Sequence, residues 1–323
     1  MGSRRAIVVG HAGQDGRILW DQLADRDFAL VGIGRSSLRT CGTDWAYETR
    51  IDDMDGVRRL MGEFHPDQVY YLAAHHHSSQ DKALQSSDVW QPSWQVHVQG
   101  FIHFLEAVKE CCPATRIFYA SSSRVFGIPV NSPQTEDTPL RPICVYGISK
   151  STGMMVGDYY RQTHKLHVSS GILYNHESPL RGRQFISQHV AYGMARIKAG
   201  LSGKLEIGDL SARADWGYAP DYTRAMQSIL GHDCSANFII ASGVSHSVRD
   251  IVETAAGLLD LDWKSAVIEN PGILQRDPLP LCGDAARLRQ ATGWEPRTTF
   301  VEMVRILVEA AQAELLVIGN SLK

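Results

Sequence analysis

Residues 6–19 read AIVVGHAGQDGRIL. The β-branched run stops at Gly10, glycines recur at Gly13 and Gly16, and Ile18, Leu19 and Leu23 then share one helical face. A short apolar run ending on glycine predicts a buried strand, and the spacing after it predicts a helix. The alternation continues. FALVGIG (28–34) predicts a strand and GVRRLMGEF (56–64) a helix. DQVYYLAA (67–74), RIFYASSS (116–123) and HVSSGILYN (167–175) predict further strands. Between them, WQVHVQGFIHFLEAVKEC (94–111) and SKSTGMMVGDYYRQTH (149–164) predict long helices. Parallel strands need crossover helices, so this order predicts an α/β, doubly wound, mainly parallel sheet.

After Asn175 the pattern changes to a charged, loop-like stretch, NHESPLRGRQFI (175–186), followed by shorter elements. A chain of 323 residues fits one large α/β unit with a second lobe. The expected division is 1–174 for the sheet domain and 175–323 for a smaller lobe over the carboxyl ends of the strands, with segments of 210–245 returning to the first domain. The polar stretch SSQDKALQSSDVWQPSW (78–94) reads as a long loop, either covering a site or lying on the surface. The net charge of −3 and the lack of a basic run argue against nucleic acid or a membrane surface as partner. The six cysteines form no metal-finger spacing and read as reduced thiols of a cytoplasmic protein. The apolar run in MGSRRAIVVG (1–10) reads as too short for a signal peptide, and no 18-residue apolar run predicts a membrane span.

The glycine loop sits where a Rossmann-type fold binds a dinucleotide. Gly10 allows the tight turn, Gly13 lets the backbone approach a pyrophosphate, and the helix starting near Gly16 attracts its charge. The second strand ends in Arg35, Ser36 and Ser37 rather than an acidic residue. A cation and hydroxyls suit a ribose 2′-phosphate, which favours NADP(H) over NAD(H). Asp52 or Asp53 would hold the adenine amino group.

Tyr146 and Lys150 stand four apart at the start of a helix and so point from one face. An ammonium beside a phenol stabilises the phenolate. Tyr146 could then accept a hydroxyl proton while hydride leaves the same carbon, with Ser122, after the fourth strand, bonding the same oxygen. His75, His76 and His77 do not read as a metal site, because neighbouring strand residues point to opposite faces.

With these residues in view, the chain resembles the extended short-chain dehydrogenases/reductases, and within them the GDP-mannose 4,6-dehydratase family. The likeness includes GQDG (13–16), RSS (35–37), YLAA (71–74), VYGISK (145–150), GILYNHESPLRG (171–182), ADWGYAPDYTRAM (214–226), HSVRDIVE (246–253) and CGDAARLRQATGWEP (282–296). The resemblance implies cofactor contacts from Gly10, Ala12, Gly13, Gln14, Asp15, Gly16, Arg35, Ser36, Ser37, Asp52 and Asp53. It also implies contacts from Leu72, Ala73, Ala74, His76, Tyr146, Lys150, His176 and Arg181. A nucleotide sugar, expected to be GDP-linked, would meet Ser123, Arg124, Asn175, Glu177, Arg183, Arg213 and Arg276. No metal is implied, and a homodimer or tetramer is expected by analogy.

Departures from the family decide the expected reaction. The family's Thr is Ser122 here, which keeps the hydroxyl. The family's Glu is Arg124, which does not keep the chemistry. That Glu removes the C5 proton once C4 is a ketone, and a guanidinium stays protonated. Ala214 and Gln188 replace basic residues on the nucleotide side, and the loop after RSS is short. The expectation is a C4 epimerase acting through a transient 4-keto sugar. The alternatives are an NADPH-dependent reductase of a 4-keto nucleotide sugar, a dehydratase with another base such as one of the three histidines, and a non-catalytic nucleotide-sugar or NADP sensor.

Overall fold

The computed structural model describes residues 3–35, 37–75, 86–270, 272 and 281–321. Its first half comprises β1 (Arg5–Val9), α1 (Gln14–Ala24), β2 (Ala29–Ile33), β3 (Leu38–Cys41), α2 (Met54–Phe64), β4 (Gln68–Tyr71), α3 (Ser86–Trp94), α4 (Gly100–Cys111), β5 (Arg116–Ala120), α5 (Val145–His164) and β6 (Val168–Leu173). Then come β7 (Asn175–Glu177), α6 (Ile186–Lys198), β8 (Leu205–Ile207), β9 (Arg213–Tyr218), α7 (Ala219–Gly231) and β10 (Asn237–Ile240). The chain ends with β11 (Ser245–Ser247), α8 (Val248–Leu258), α9 (Trp263–Ala266), β12 (Val267–Glu269), α10 (Ala286–Thr292) and α11 (Phe300–Ser321).

Seven strands form one sheet in the order β10-β6-β5-β4-β1-β2-β3. All its pairings are parallel except β2 with β3. The strand order reverses between β1 and its neighbour β4. Open α/β sheets bind ligands at such a point, outside the carboxyl ends of the strands. Smaller sheets, β11-β9-β7 and β12-β8, belong to the second half of the chain.

Both faces of the large sheet are covered, which is why its inner strands are buried along their length rather than alternating, whereas the edge strand β3 is largely exposed. On one face Leu19, Trp20 and Leu23 of α1 pack with Met226 and Ile229 of α7, Leu288 of α10 and Trp294. On the other, Val57, Leu60 and Met61 of α2 pack with Phe101, Phe104 and Leu105 of α4 and Tyr160 of α5. The chain therefore returns to the sheet after residue 175 at two places, through α7–β10 and through residues 285–294. A separate core joins α6, α8 and α11, with Val190, Met194, Ile251, Val252, Met303 and Leu307 buried between them.

Two local readings need correction. The stretch 78–94 is not loop throughout, because residues 86–94 are helical; 78–85 lie outside the described residues. Its polar composition conceals a helix that packs on the rest of the fold. This helix runs without interruption through a π-helical turn at Gln95–Gln99 into α4, since Trp94 and Gly100 both keep helical dihedrals. The second correction is β3, an antiparallel edge strand following the Arg35–Ser37 turn, where no strand was expected.

Candidate active site

The first turn is built by backbone packing. Gly10 has φ +90°, and a Cβ there would sit 2.8 Å from Ala73 N, so a side chain would push the β1 and β4 ends apart. A Cβ on Gly16 would meet Gly10 O at 2.3 Å, whereas one on Gly13 would meet only Gly10 O, at 3.4 Å. The loop is thus closed on its own side and open at Gly13, beside the N-terminus of α1. These residues fit a dinucleotide pyrophosphate, which needs backbone N–H groups and close approach.

Ser122 follows β5 and starts a 3₁₀ turn, its Oγ accepting from Arg124 N at 3.3 Å. Gly147 lets that turn lie against α5: a Cβ there would be 2.5 Å from Arg124 O. Ser122 is thereby brought within hydrogen-bonding reach of the Tyr146 hydroxyl. Lys150, one turn on, is 1% exposed. Its Nζ donates to Ala120 O at 2.8 Å and Ala73 O at 3.5 Å, and lies 5.8 Å from the Tyr146 ring centroid. Burial pulls the Lys150 ammonium down to about 7, with Asp15 opposing. Burial pushes the Tyr146 phenol up to about 12, while Arg181 and the Ser122 hydrogen bond draw it back and Asp15 and Cys144 raise it. Ser122, Tyr146, Lys150, Arg181 and Asp15 therefore share one electrostatic environment.

Buried His176 pairs with half-buried Asp15, Nε2 to Oδ2 at 2.9 Å, and its Nδ1 lies 2.7 Å from Tyr174 O. Burial raises the Asp15 carboxyl, but His176 outweighs it and holds the group below the ordinary carboxylate value. Burial lowers His176, and Asp15 reverses that, so its imidazole is held above its ordinary value. Gln14 Nε2 donates to His176 O at 3.1 Å and Ser178 Oγ donates to Gln14 Oε1 at 2.8 Å. Gln188 Nε2 donates to Ser178 O at 2.8 Å, so an uncharged amide links α6 to this segment. The glycine loop and the 175–178 segment are thus locked together. His176 also stacks on Tyr222 at 4.8 Å.

Arg181 lies over the Phe185 ring at 3.7 Å. Its Nε is buried without a hydrogen bond, with Glu177 Oε2 3.6 Å away. Glu177 is itself buried and accepts from Ser187. Ser123 is buried, while Arg124 and Asn175 are exposed. Leu72 and Ala73 are half-buried after β4, and Ala74 is exposed. Ala12, Arg35 and Ser37 are exposed, and Ser37 Oγ lies 3.1 Å from His11 Nε2.

Other expected residues have partners elsewhere. Asp52 holds Arg50 through two bonds of 2.7 and 2.9 Å, and Asp53 caps α2 through Gly56 N. Arg183 pairs with Glu314 and covers the Tyr192 ring, and Arg213 donates to Ser245 O. Ser36, His76, His77 and Arg276 lie outside the described residues. Among the described residues no group of three or more His, Cys, Asp or Glu could hold a metal ion.

Two features escaped the sequence reading. Arg39 of β3, in register with Gly32 of β2, holds its guanidinium 4.4 Å from the Trp20 ring centroid and 3.7 Å from Asp21. His97 is fully buried and meets the Tyr146 ring edge-on at 5.2 Å. A lone histidine among Val98, Phe101 and Phe104, on an apolar helix face, was the available signal.

The fold, with its glycine turn and Ser–Tyr–Lys cluster, is that of an extended short-chain dehydrogenase/reductase. A family model described as GDP-mannose 4,6 dehydratase matches residues 7–307. The chain belongs to that family. It is 30% identical over 325 residues to GDP-mannose 4,6 dehydratase 1 of Arabidopsis thaliana, covering 94% of this chain and 88% of that protein. Among solved structures, RMD from Pseudomonas aeruginosa complexed with NADPH superimposes with a TM-score of 0.82 at 23% identity, covering 97% of this chain and 100% of the other. UDP-glucose 4-epimerase from Thermotoga maritima, with UDP-glucose, superimposes with a TM-score of 0.81 at 20% identity, covering 96% of this chain and 99% of the other.

Proposed function

We propose that this protein is a nucleotide-sugar C4 epimerase, acting on a GDP-linked sugar through a transient 4-keto intermediate. A bound nicotinamide would supply the acceptor and donor of hydride. The chain's own groups handle the proton. Tyr146 takes it from the C4 hydroxyl and returns it, Ser122 orients the same oxygen, and the cations of Lys150 and Arg181 favour the phenolate. The substrate belongs against the 175–183 segment, where Asn175 and Arg181 would meet the diphosphate.

One observation carries the choice of reaction. The turn after Ser122 bears Arg124 where elimination needs a base at C5, and a guanidinium cannot accept that proton. Asp15, a carboxylate that influences Tyr146, is already bonded to His176. A dehydratase needs a base at C5 that Arg124 does not supply. A second reading, reduction of a 4-keto nucleotide sugar by NADPH, draws on Arg35 after β2, since a guanidinium there suits a 2′-phosphate. A homodimer or tetramer and a cytoplasmic location accompany either reading. Among the described residues no helix is long and apolar enough to cross a membrane.

The test is incubation with a panel of GDP-sugars, first without added cofactor and then with NADPH. A C4-inverted product with no net change in nicotinamide absorbance is expected. NADPH consumption restricted to 4-keto sugars would favour the reductase, and a 6-deoxy-4-keto product would overturn both. Tyr146→Phe should lower turnover about 10²- to 10⁴-fold, the usual range for loss of a proton-transfer group.

A further inference from the structure

The π-helical turn at Gln95–Gln99 is held by side chains from three other elements. A π turn leaves carbonyls without their ordinary helical donors. Here Tyr71 of β4 donates its hydroxyl to Val96 O at 2.6 Å, and Tyr119 of β5 donates to His97 O at 3.0 Å. Both hydroxyls need space that glycine provides. A Cβ on Gly100 would lie 2.5 Å from Tyr71 Oη, and one on Gly153 of α5 would lie 2.1 Å from Tyr119 Oη.

The consequence is the placement of His97. Its ring is fully buried, and the bonds around it determine its tautomer. His75 N–H donates to Nε2 at 2.9 Å, so that nitrogen carries no proton. Ser149 Oγ donates to Tyr146 O at 3.0 Å, so it accepts from His97 Nδ1–H at 2.7 Å. One neutral imidazole thus ties the chain after β4 to the first turn of α5, with its ring edge against Tyr146.

We infer that His97 is a positioning residue with two separable duties. Through Nδ1 and Ser149 it fixes the backbone of Tyr146. Through Nε2 it fixes His75, and with it the Leu72–His75 segment that faces the glycine loop. The first duty rests on the proposed proton-transfer role of Tyr146; the second does not.

The two duties separate by side-chain length. Asn at 97 reaches Ser149 with an amide donor but falls short of His75. Gln at 97 presents an acceptor to His75 but loses the Nδ1 bond. Each variant is assayed for hydrogen exchange at the His75 amide, for NADPH affinity by fluorescence titration, and for kcat and KM with the GDP-sugar turned over in the incubation above. For His97→Asn, faster exchange at His75 and about tenfold weaker NADPH binding are expected, with kcat within a few-fold of the parent. For His97→Gln, exchange and NADPH affinity stay near the parent while kcat falls about tenfold to a hundredfold. Exchange, affinity and kcat all unchanged in both variants, whatever their melting temperatures, would overturn the inference and leave His97 a packing residue. Identical losses in both would overturn the separation of duties. Parental turnover in Tyr146→Phe would instead refute the proton-transfer reading, and the exchange and NADPH measurements would still decide the second duty.

Discussion

At the scale of single residues, the difficulty this site faces is the cost of ionising a buried phenol. Burial takes Tyr146 up to about 12, too high to accept a proton readily at neutral pH. Arg181 is the strongest influence in the other direction, ahead of the Ser122 hydrogen bond. Arg181 is held in place by the Phe185 ring and by Glu177. Removing its charge should raise the phenol further, so a larger hydroxide concentration is needed to form the base. Arg181→Met should therefore move the acidic limb of the kcat/KM profile for alcohol oxidation to higher pH by about one unit, with about a tenfold loss at neutral pH. Arg183→Met is the control, because Arg183 is paired with Glu314 instead. An unmoved limb in Arg181→Met would remove Arg181 from the proton-transfer environment.

At the scale of elements, one substitution should act with opposite sign at two helical glycines. In α5, a Cβ on Gly153 would strike Tyr119 Oη at 2.1 Å and His97 O at 2.7 Å. Gly153→Ala should destabilise by about 1–3 kcal/mol, the usual cost of overpacking, by pushing α5 from the π turn. In α8, a Cβ on Gly257 would meet nothing within 4 Å. Gly257→Ala should stabilise by about 0.5–1 kcal/mol, because alanine loses less backbone freedom in a helix. Urea unfolding of both variants checks the pair, and a destabilised Gly257→Ala would refute the argument. The contrast marks the limit of what was legible in the sequence. Residues such as Ile7, Val8 and Leu19 announce strand and helix through local periodicity, and Ser122, Tyr146 and Lys150 announce chemistry through type and spacing. The His97 arrangement does not, because Tyr71, His75, Tyr119, Ser149 and Gly153 are far apart along the chain and none forms a motif with His97. Helix α3 and strand β3 were hidden for a related reason: their polar residues become regular through packing and edge pairing, not through a pattern of their own.

At the scale of the whole molecule, the two halves of the chain meet where the site is built, and part of the stability is set against function there. Asp215 of β9 accepts from Ser242 N at 2.9 Å, Gly243 N at 2.9 Å and Gly283 N at 3.3 Å, drawing three separate segments together. Gln14, Ser178 and Gln188 join α1 to α6 in the same way. Lys150 works against this cohesion. Its value falls from 10.5 in an exposed lysine to about 7 when buried, so above pH 7 the folded chain releases a proton that the unfolded chain retains. Stability rises with pH wherever the unfolded state binds more protons. The ligand-free protein should thus gain stability from about pH 7 upward, by as much as about 1.4 kcal/mol per pH unit for one proton. The gain is read most cleanly below about pH 8.5, before ordinary thiols and phenols ionise. Thermal or urea unfolding of the parent and Lys150→Met across that window provides the measurement. A rising curve in the parent and a flatter one in the variant are expected. Parallel curves would mean that Lys150 keeps its proton in the folded chain, and that its ammonium stabilises the Tyr146 phenolate throughout the neutral range rather than only toward its acid side.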